Sequence, residues 1–163
     1  MSQGIHEALS YIERQIEATT PKTDTHHGFV AINSSGRVGP LEARQHTPRF
    51  FEVRLDSFGI DDGAAGLSGR RRARCVLRVK YEVGELHYME RMIAEDASAL
   101  LVTLNGPSYN LATTGIISLI PGEPTTEPSI DPTTEAQSII LSFPFDLLYL
   151  EWMNFESPAL EWV

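Results

Sequence analysis

Apolar residues recur along this chain with two different periods, and the two predict different elements. Ile5, Leu9, Ile12 and Ile16, with Ala8 in the same stripe, are spaced by four, three and four residues, while Glu7, Arg14 and Glu17 take the other side. That spacing belongs to a helix with one buried face. Ser2 stands where a cap would, and Pro21, which has no N–H and restricts the residue before it, predicts the end. A second helix is predicted from Leu86 to about Leu104, on Met89, Met92, Ile93, Ala97, Leu100 and Leu101. Asn105-Gly106-Pro107 stops it.

Elsewhere the period is two. Arg49 to Leu55 places Phe51, Val53 and Leu55 on one face. Arg71 to Val83 is the clearest strand: Ala73, Cys75, Leu77, Val79, Tyr81 and Val83 alternate with Arg72, Arg74, Arg78, Lys80 and Glu82, interrupted only by Val76. Gly115 to Ile120 reads as a short strand. The last, Ala136 to about Tyr149, sets Ile139, Leu141, Phe143, Phe145 and Leu147 against Ser138, Ser142 and Asp146. Pro144 cannot donate to a ladder, which favours an edge or a bulge there.

Between these elements the pattern fails. Residues 21–48 read as an irregular arm with one short strand at Phe29 to Ile32, and a segment of that length inside a compact domain points to disorder or a contact with another chain. The glycines between Gly59 and Gly69 predict a flexible loop over 57–70, and the prolines and threonines of 121–135 predict an extended loop with little preferred structure. The order is helix, strand, strand, helix, strand, strand. The expected fold is α+β: a two-layer sandwich of a mainly antiparallel four-stranded sheet with both helices on one face and the basic row of Arg71 to Val83 on the other. At 163 residues the chain suits one domain over 1–150, with 151–163 as a tail that displays Trp152, Phe155 and Trp162.

Charge adds a second pattern. Every Lys and Arg lies at or before Arg91, and the residues after it carry ten carboxylates with no basic partner. The basic side chains peak at Arg70, Arg71, Arg72, Arg74, Arg78 and Lys80. Three readings compete for this row: a solvated face, an anion or nucleic-acid surface, and half of an interface whose other half is the acidic C-terminal region. No aromatic residue interleaves with the row on its face, so base stacking is unsupported, and the net charge of −9 repels phosphate. Protein contact ranks first, solvated face second and nucleic acid last, with no specific nucleic-acid binding expected. The residues proposed for the contact are Arg70, Arg71, Arg72, Arg74, Arg78 and Lys80 on one side and Glu123, Glu127, Asp131, Trp152 and Trp162 on the other.

Candidate chemistry is thin. Cys75 would need exposure and a lowered pKa to act as a nucleophile, and its place on the apolar side of its strand favours core packing. His26 and His27 follow Asp24, yet a metal there would need a ligand from elsewhere; His6 and His87 sit beside acidic neighbours as surface residues. Gly63, Gly66 and Gly69 imitate a phosphate cradle, but they lead into a strand and not into a helix N-terminus. No catalytic residue, metal or cofactor is expected. One cysteine excludes an intramolecular disulfide and fits a reducing compartment. The first residues lack a secretory pattern, and no window is long and apolar enough to span a bilayer, so a soluble cytosolic protein without membrane partners is expected.

In organisation the chain resembles the tail terminator proteins of long-tailed bacteriophages, also called tail completion or minor tail proteins. The resemblance lies in the N-terminal amphipathic helix, the strand Arg49-Phe50-Phe51-Glu52-Val53-Arg54-Leu55, the long loop, the arginine-rich alternating strand, the helix beginning near His87, and the closing strand Ile139-Ile140-Leu141-Ser142-Phe143. It spans most of the chain and contains no motif unique to that family; the Trp-containing tail departs from a minimal member. The resemblance implies a non-enzymatic virion structural protein of the tail and neck, assembled in the host cytoplasm, that forms a homohexameric ring, caps the tail tube, stops its polymerisation and offers a surface for neck or head attachment. Its partners would be further copies of itself, the tail tube protein and a neck or head-completion protein. The alternatives are a head-completion or neck connector protein, or a small α+β ligand-binding domain or enzyme using Cys75 or the histidines.

Overall fold

The computed structural model describes residues 4–23, 28–31, 49–60, 69–82, 86–105, 115–130, 135 and 137–151. Its elements are α1 (Ile5–Glu17), β1 (Val30–Ala31), β2 (Phe50–Ile60), β3 (Arg70–Glu82), α2 (Leu86–Leu104), β4 (Ile116–Pro121), β5 (Thr125–Ile130) and β6 (Gln137–Leu150). They form an α+β fold of two helices on a curled sheet. The strand order is β1-β2-β3-β6-β4, with β5 also paired to β6. β1 runs parallel to β2 and every other pairing is antiparallel, so the sheet is mixed and larger than the four strands expected.

The spine of the sheet is the β3–β6 pair, in one unbroken register from Arg70↔Leu150 to Glu82↔Ser138. Two alternating sequences set side by side without a shift keep each face chemically uniform. Ala73, Cys75, Leu77, Val79 and Tyr81 of β3 and Leu141, Phe143, Phe145, Leu147 and Tyr149 of β6 therefore share one buried face. Ala8, Ile12 and Ile16 of α1 and Met89, Met92, Ile93, Leu100 and Leu104 of α2 close over that face. Each large side chain buried in this way contributes about 1.5–3 kcal/mol of transfer free energy. The helices also meet each other through the Thr19 and Thr103 hydroxyls, 2.6 Å apart.

Three local expectations need correction. α1 ends at Glu17, before Pro21: Ala18 N–H still bonds Arg14, and Thr19 turns its hydroxyl back to the Gln15 carbonyl at 3.0 Å, closing the last turn by itself. Gly4 holds the N-cap position without a side-chain bond, and Ser2 lies outside the described residues. The segment expected to be an extended loop contains β5, which together with β4 makes one long strand against β6, interrupted at Gly122–Pro124. Among the described residues β5 pairs on one side only, which tolerates Pro128. The predicted loop 57–70 is likewise shorter, since β2 extends to Ile60 and β3 starts at Arg70.

Pro144 explains the interruption. Of the edge or bulge expected at Pro144 the edge does not occur, since β6 is an interior strand, but the facing strand is irregular there, with Gly122–Pro124 between Pro121↔Phe145 and Thr125↔Ser142. The Pro144 carbonyl accepts a bond of 2.6 Å from Gly122 N–H. In an antiparallel ladder the N–H and C=O of one residue point to the same neighbour, so the N–H that proline lacks would have faced the break between β4 and β5. A Cβ on Gly122 would stand 3.0 Å from Pro144 Cγ, a tight contact that favours glycine at the close approach. Gly69 matters for a different reason: its φ of 74° is left-handed, and its carbonyl accepts from Glu151 N–H at 2.8 Å, tying the start of β3 to the end of β6.

One polar cluster lies inside the core. Arg49, with a left-handed φ of 60°, stands just before β2 and is buried. Its Nε reaches Asp96 Oδ2 of α2 at 2.7 Å and its Nη2 reaches Oδ1 at 3.2 Å, while Tyr81 of β3 donates its hydroxyl to the same Oδ2 at 2.7 Å. Arg49 also donates to the Thr23 carbonyl and lies over the Phe29 ring. Burial, reinforced by the Asp96 carboxylate, pushes the Tyr81 phenol well above its ordinary value, so it remains a donor.

Candidate functional site

The sheet face away from the helices carries the basic row, and its side chains meet several different fates. Arg72 and Arg74 are exposed. Arg78 is largely covered: it bonds Glu52 of β2 at 2.9 Å and approaches Glu127 of β5 to 4.0 Å, across the small Ser142 that faces it in β6. Lys80 is only 4% exposed, between Phe50 of β2 and Ile140 of β6, which are buried on this same face. The expectation of one continuous positive face therefore fails at the Lys80 end, where the neighbouring strands bring apolar and acidic groups beside it. Arg74 lies 3.8 Å from Asp146, and Arg71 lies 3.2 Å from Glu151. Part of the complementarity between the basic and acidic halves of the sequence is satisfied inside the chain.

A shallow groove of about 330 Å³ opens on this face. Asp56, Arg74 and Asp146 supply its charges and Ile120, Gly122 and Pro144 its apolar side. The groove exists because Asp56 is an extra residue in β2: the register moves from Leu55↔Cys75 to Ser57↔Arg74 and the strand bends there. Cys75 is buried on the helix side, and burial, with Asp56 and Asp146 nearby, pushes its thiol up to about 12. Such a thiol is not a nucleophile near neutral pH.

The bulge has a second consequence, absent from the predicted elements. Alternation puts Phe51, Val53 and Leu55 on the helix side, and the extra residue puts Phe58 there too, opposite Ala73. The helices do not reach so far. Phe58 is 71% exposed and Leu55 is partly so. The only signal in the sequence is the change of parity from 55 to 58, which a bulge would explain. Ile117 and Ile120 of β4 are likewise exposed at the opposite side of the sheet.

The other expected residues are placed elsewhere or lie outside the described residues. His6 is exposed on α1, and His26, His27, Asp131, Trp152 and Trp162 lie outside the described residues. Glu123 is exposed at the break between β4 and β5. Among the described residues no cluster of His, Cys, Asp or Glu could hold a metal, and no helix is long and apolar enough to cross a membrane. No protein-family model matches the chain, and no characterised protein has a significantly similar sequence.

Proposed function

We propose that this chain is a non-enzymatic assembly protein that forms a ring of its own copies, caps the end of a tail tube and stops its polymerisation, the tail terminator role suggested by the resemblance in its organisation. One observation supports the reading: among the described residues the sheet ends in two long strands, β2 and the interrupted β4–β5 strand, that are paired on one side over most of their length. Among the described residues β1 covers only Phe50 and Phe51 of β2, and β4 and β5 pair on one side only. Uncovered edges are liabilities in a monomer and are retained where another chain pairs with them. On this reading the fold is a two-layer sandwich with four principal antiparallel strands, β2, β3, β6 and the interrupted β4–β5 strand, to which β1 is a short addition. The partners are other copies, a tail tube protein and a neck or head-completion protein.

The test is size-exclusion chromatography with light scattering, on the protein alone and after mixing with purified tail tubes, followed by electron microscopy of the tubes. The expected result is a closed ring, free or at the tube end. A chain that stays monomeric under both conditions overturns the proposal, and binding to a portal ring in place of the tube moves the assignment to a neck connector.

A further inference from the structure

We infer that Arg49 is a clamp for the chain between α1 and β2: its guanidinium fastens Thr23 and Phe29 to α2, and their segment opens as a unit while the helices and sheet stay folded. The inference is independent of the ring-forming reading. It concerns the described parts of that segment, residues 18–23 and 28–31. Backbone pairing alone gives them a slight hold. Among the described residues β1 sets only Val30 and Ala31 against Phe50 and Phe51, and the Val30 N–H bonds the Arg49 carbonyl at 3.1 Å. Phe29 and Ala31 are nevertheless buried.

One side chain joins the two parts. Arg49 Nη2 donates to the Thr23 carbonyl and, at 3.2 Å, to Asp96 Oδ1, while Nε donates to Asp96 Oδ2 at 2.7 Å. The Phe29 ring lies against the guanidinium, with its centre 5.7 Å from Cζ. A planar fork of N–H donors with an open face can serve a carboxylate, a carbonyl and a ring at once; a lysine ammonium has the charge without the fork or the face. Asp96 also accepts from the Tyr81 hydroxyl, so the segment is tied to a carboxylate that α2 and β3 fix in the core.

The backbone of Arg49 supports the same assignment. Its φ of 60° is left-handed, a region that bulky residues seldom occupy and that persists where the surroundings over-determine it. Here its N–H bonds the Lys80 carbonyl at 3.1 Å and its carbonyl takes the Val30 bond, while the side chain reaches α2. When the segment opens, Thr23 and Phe29 leave Arg49, but Arg49 and Asp96 stay paired and no buried charge loses its partner. An opening of that kind lies below global unfolding in free energy.

The experiment is amide hydrogen exchange on the full chain, read residue by residue by NMR. In the wild-type protein the Val30 amide should be protected, yet exchange faster, by about tenfold or more, than the amides of Leu77 and Phe143 in the β3–β6 ladder. Arg49→Lys should speed Val30 by about tenfold or more, because it removes the charge-assisted bond to Thr23 and the contact with Phe29, and the ladder should remain slower than Val30. Phe29→Ala removes the ring without touching the Arg49–Asp96 pair, so it should act in the same direction, and it decides the matter if Arg49→Lys does not fold. An unprotected Val30 in the wild-type protein, or a Val30 rate left unchanged by either variant, overturns the clamp. Equal rates for Val30 and the ladder also overturn it, since the segment would then open only with the whole fold.

Discussion

At the scale of single residues, environment overrides chemical type. Cys75 stands next to Arg74 in sequence, which by itself would lower a thiol pKa, yet the thiol is raised to about 12 because burial dominates and the nearest charges include Asp56 and Asp146. The alternation of β3 had already placed it on the core side. We expect no reaction of native Cys75 with a thiol reagent at about pH 8 and full reaction once the chain is unfolded, measured by absorbance with and without denaturant. Rapid labelling of the native protein would show that the strand is not packed as described. Arg78 makes the opposite point: an arginine that reads as a surface cation is held between Glu52 and Glu127, two residues far from it in sequence.

At the scale of elements, the helices are joined to the sheet by more than apolar contact. Asp96 of α2 holds both Arg49 and Tyr81, and its side chain and that of Arg49 are fully buried. Removing one member of a buried pair leaves a charge without compensation, so Asp96→Ala should cost about 3–5 kcal/mol in urea unfolding. Tyr81→Phe removes one hydrogen bond to a charged group and should cost about 1.5–3 kcal/mol. Equal and small losses for both would mean that the cluster is not formed. Neither helix periodicity nor strand alternation announces this cluster. Asp96 sits on the apolar side of α2, and a polar residue there becomes intelligible only when Arg49, 47 positions earlier, is brought against it.

At the scale of the whole molecule, the sequence boundary in charge becomes a polarity across the sheet. β2 and β3 lie on one side and β4, β5 and β6 on the other, so unlike net charges are separated between the two halves of the sheet, most of the positive charge lying on the interior strand β3. The pairs Arg74–Asp146 and Arg78–Glu127 bind the halves together within the chain and consume part of the attraction. What remains is exposed and therefore screened by salt. On the ring-forming proposal, self-association should fall by about tenfold or more between roughly 0.05 M and 1 M salt, followed by light scattering, as the screening length shrinks to about 3 Å. Association that strengthens with salt would assign the contact to its apolar residues alone.

The sequence by itself determined the local elements and the side on which most of them are buried. Periods of two and of about four residues are properties of neighbouring positions, so both helices, β3, β6 and the core place of Cys75 are readable without knowing the partners of any strand. The edges of these elements are less legible: β5 hides in a proline-rich segment because a strand paired on one side can spare N–H groups, and β2 outruns its alternation at the Asp56 bulge. Tertiary structure alone decided which arginines are exposed and where Glu52, Asp96 and Glu127 act. Those outcomes depend on register and strand order, which join residues distant in the chain and leave no periodic trace in it.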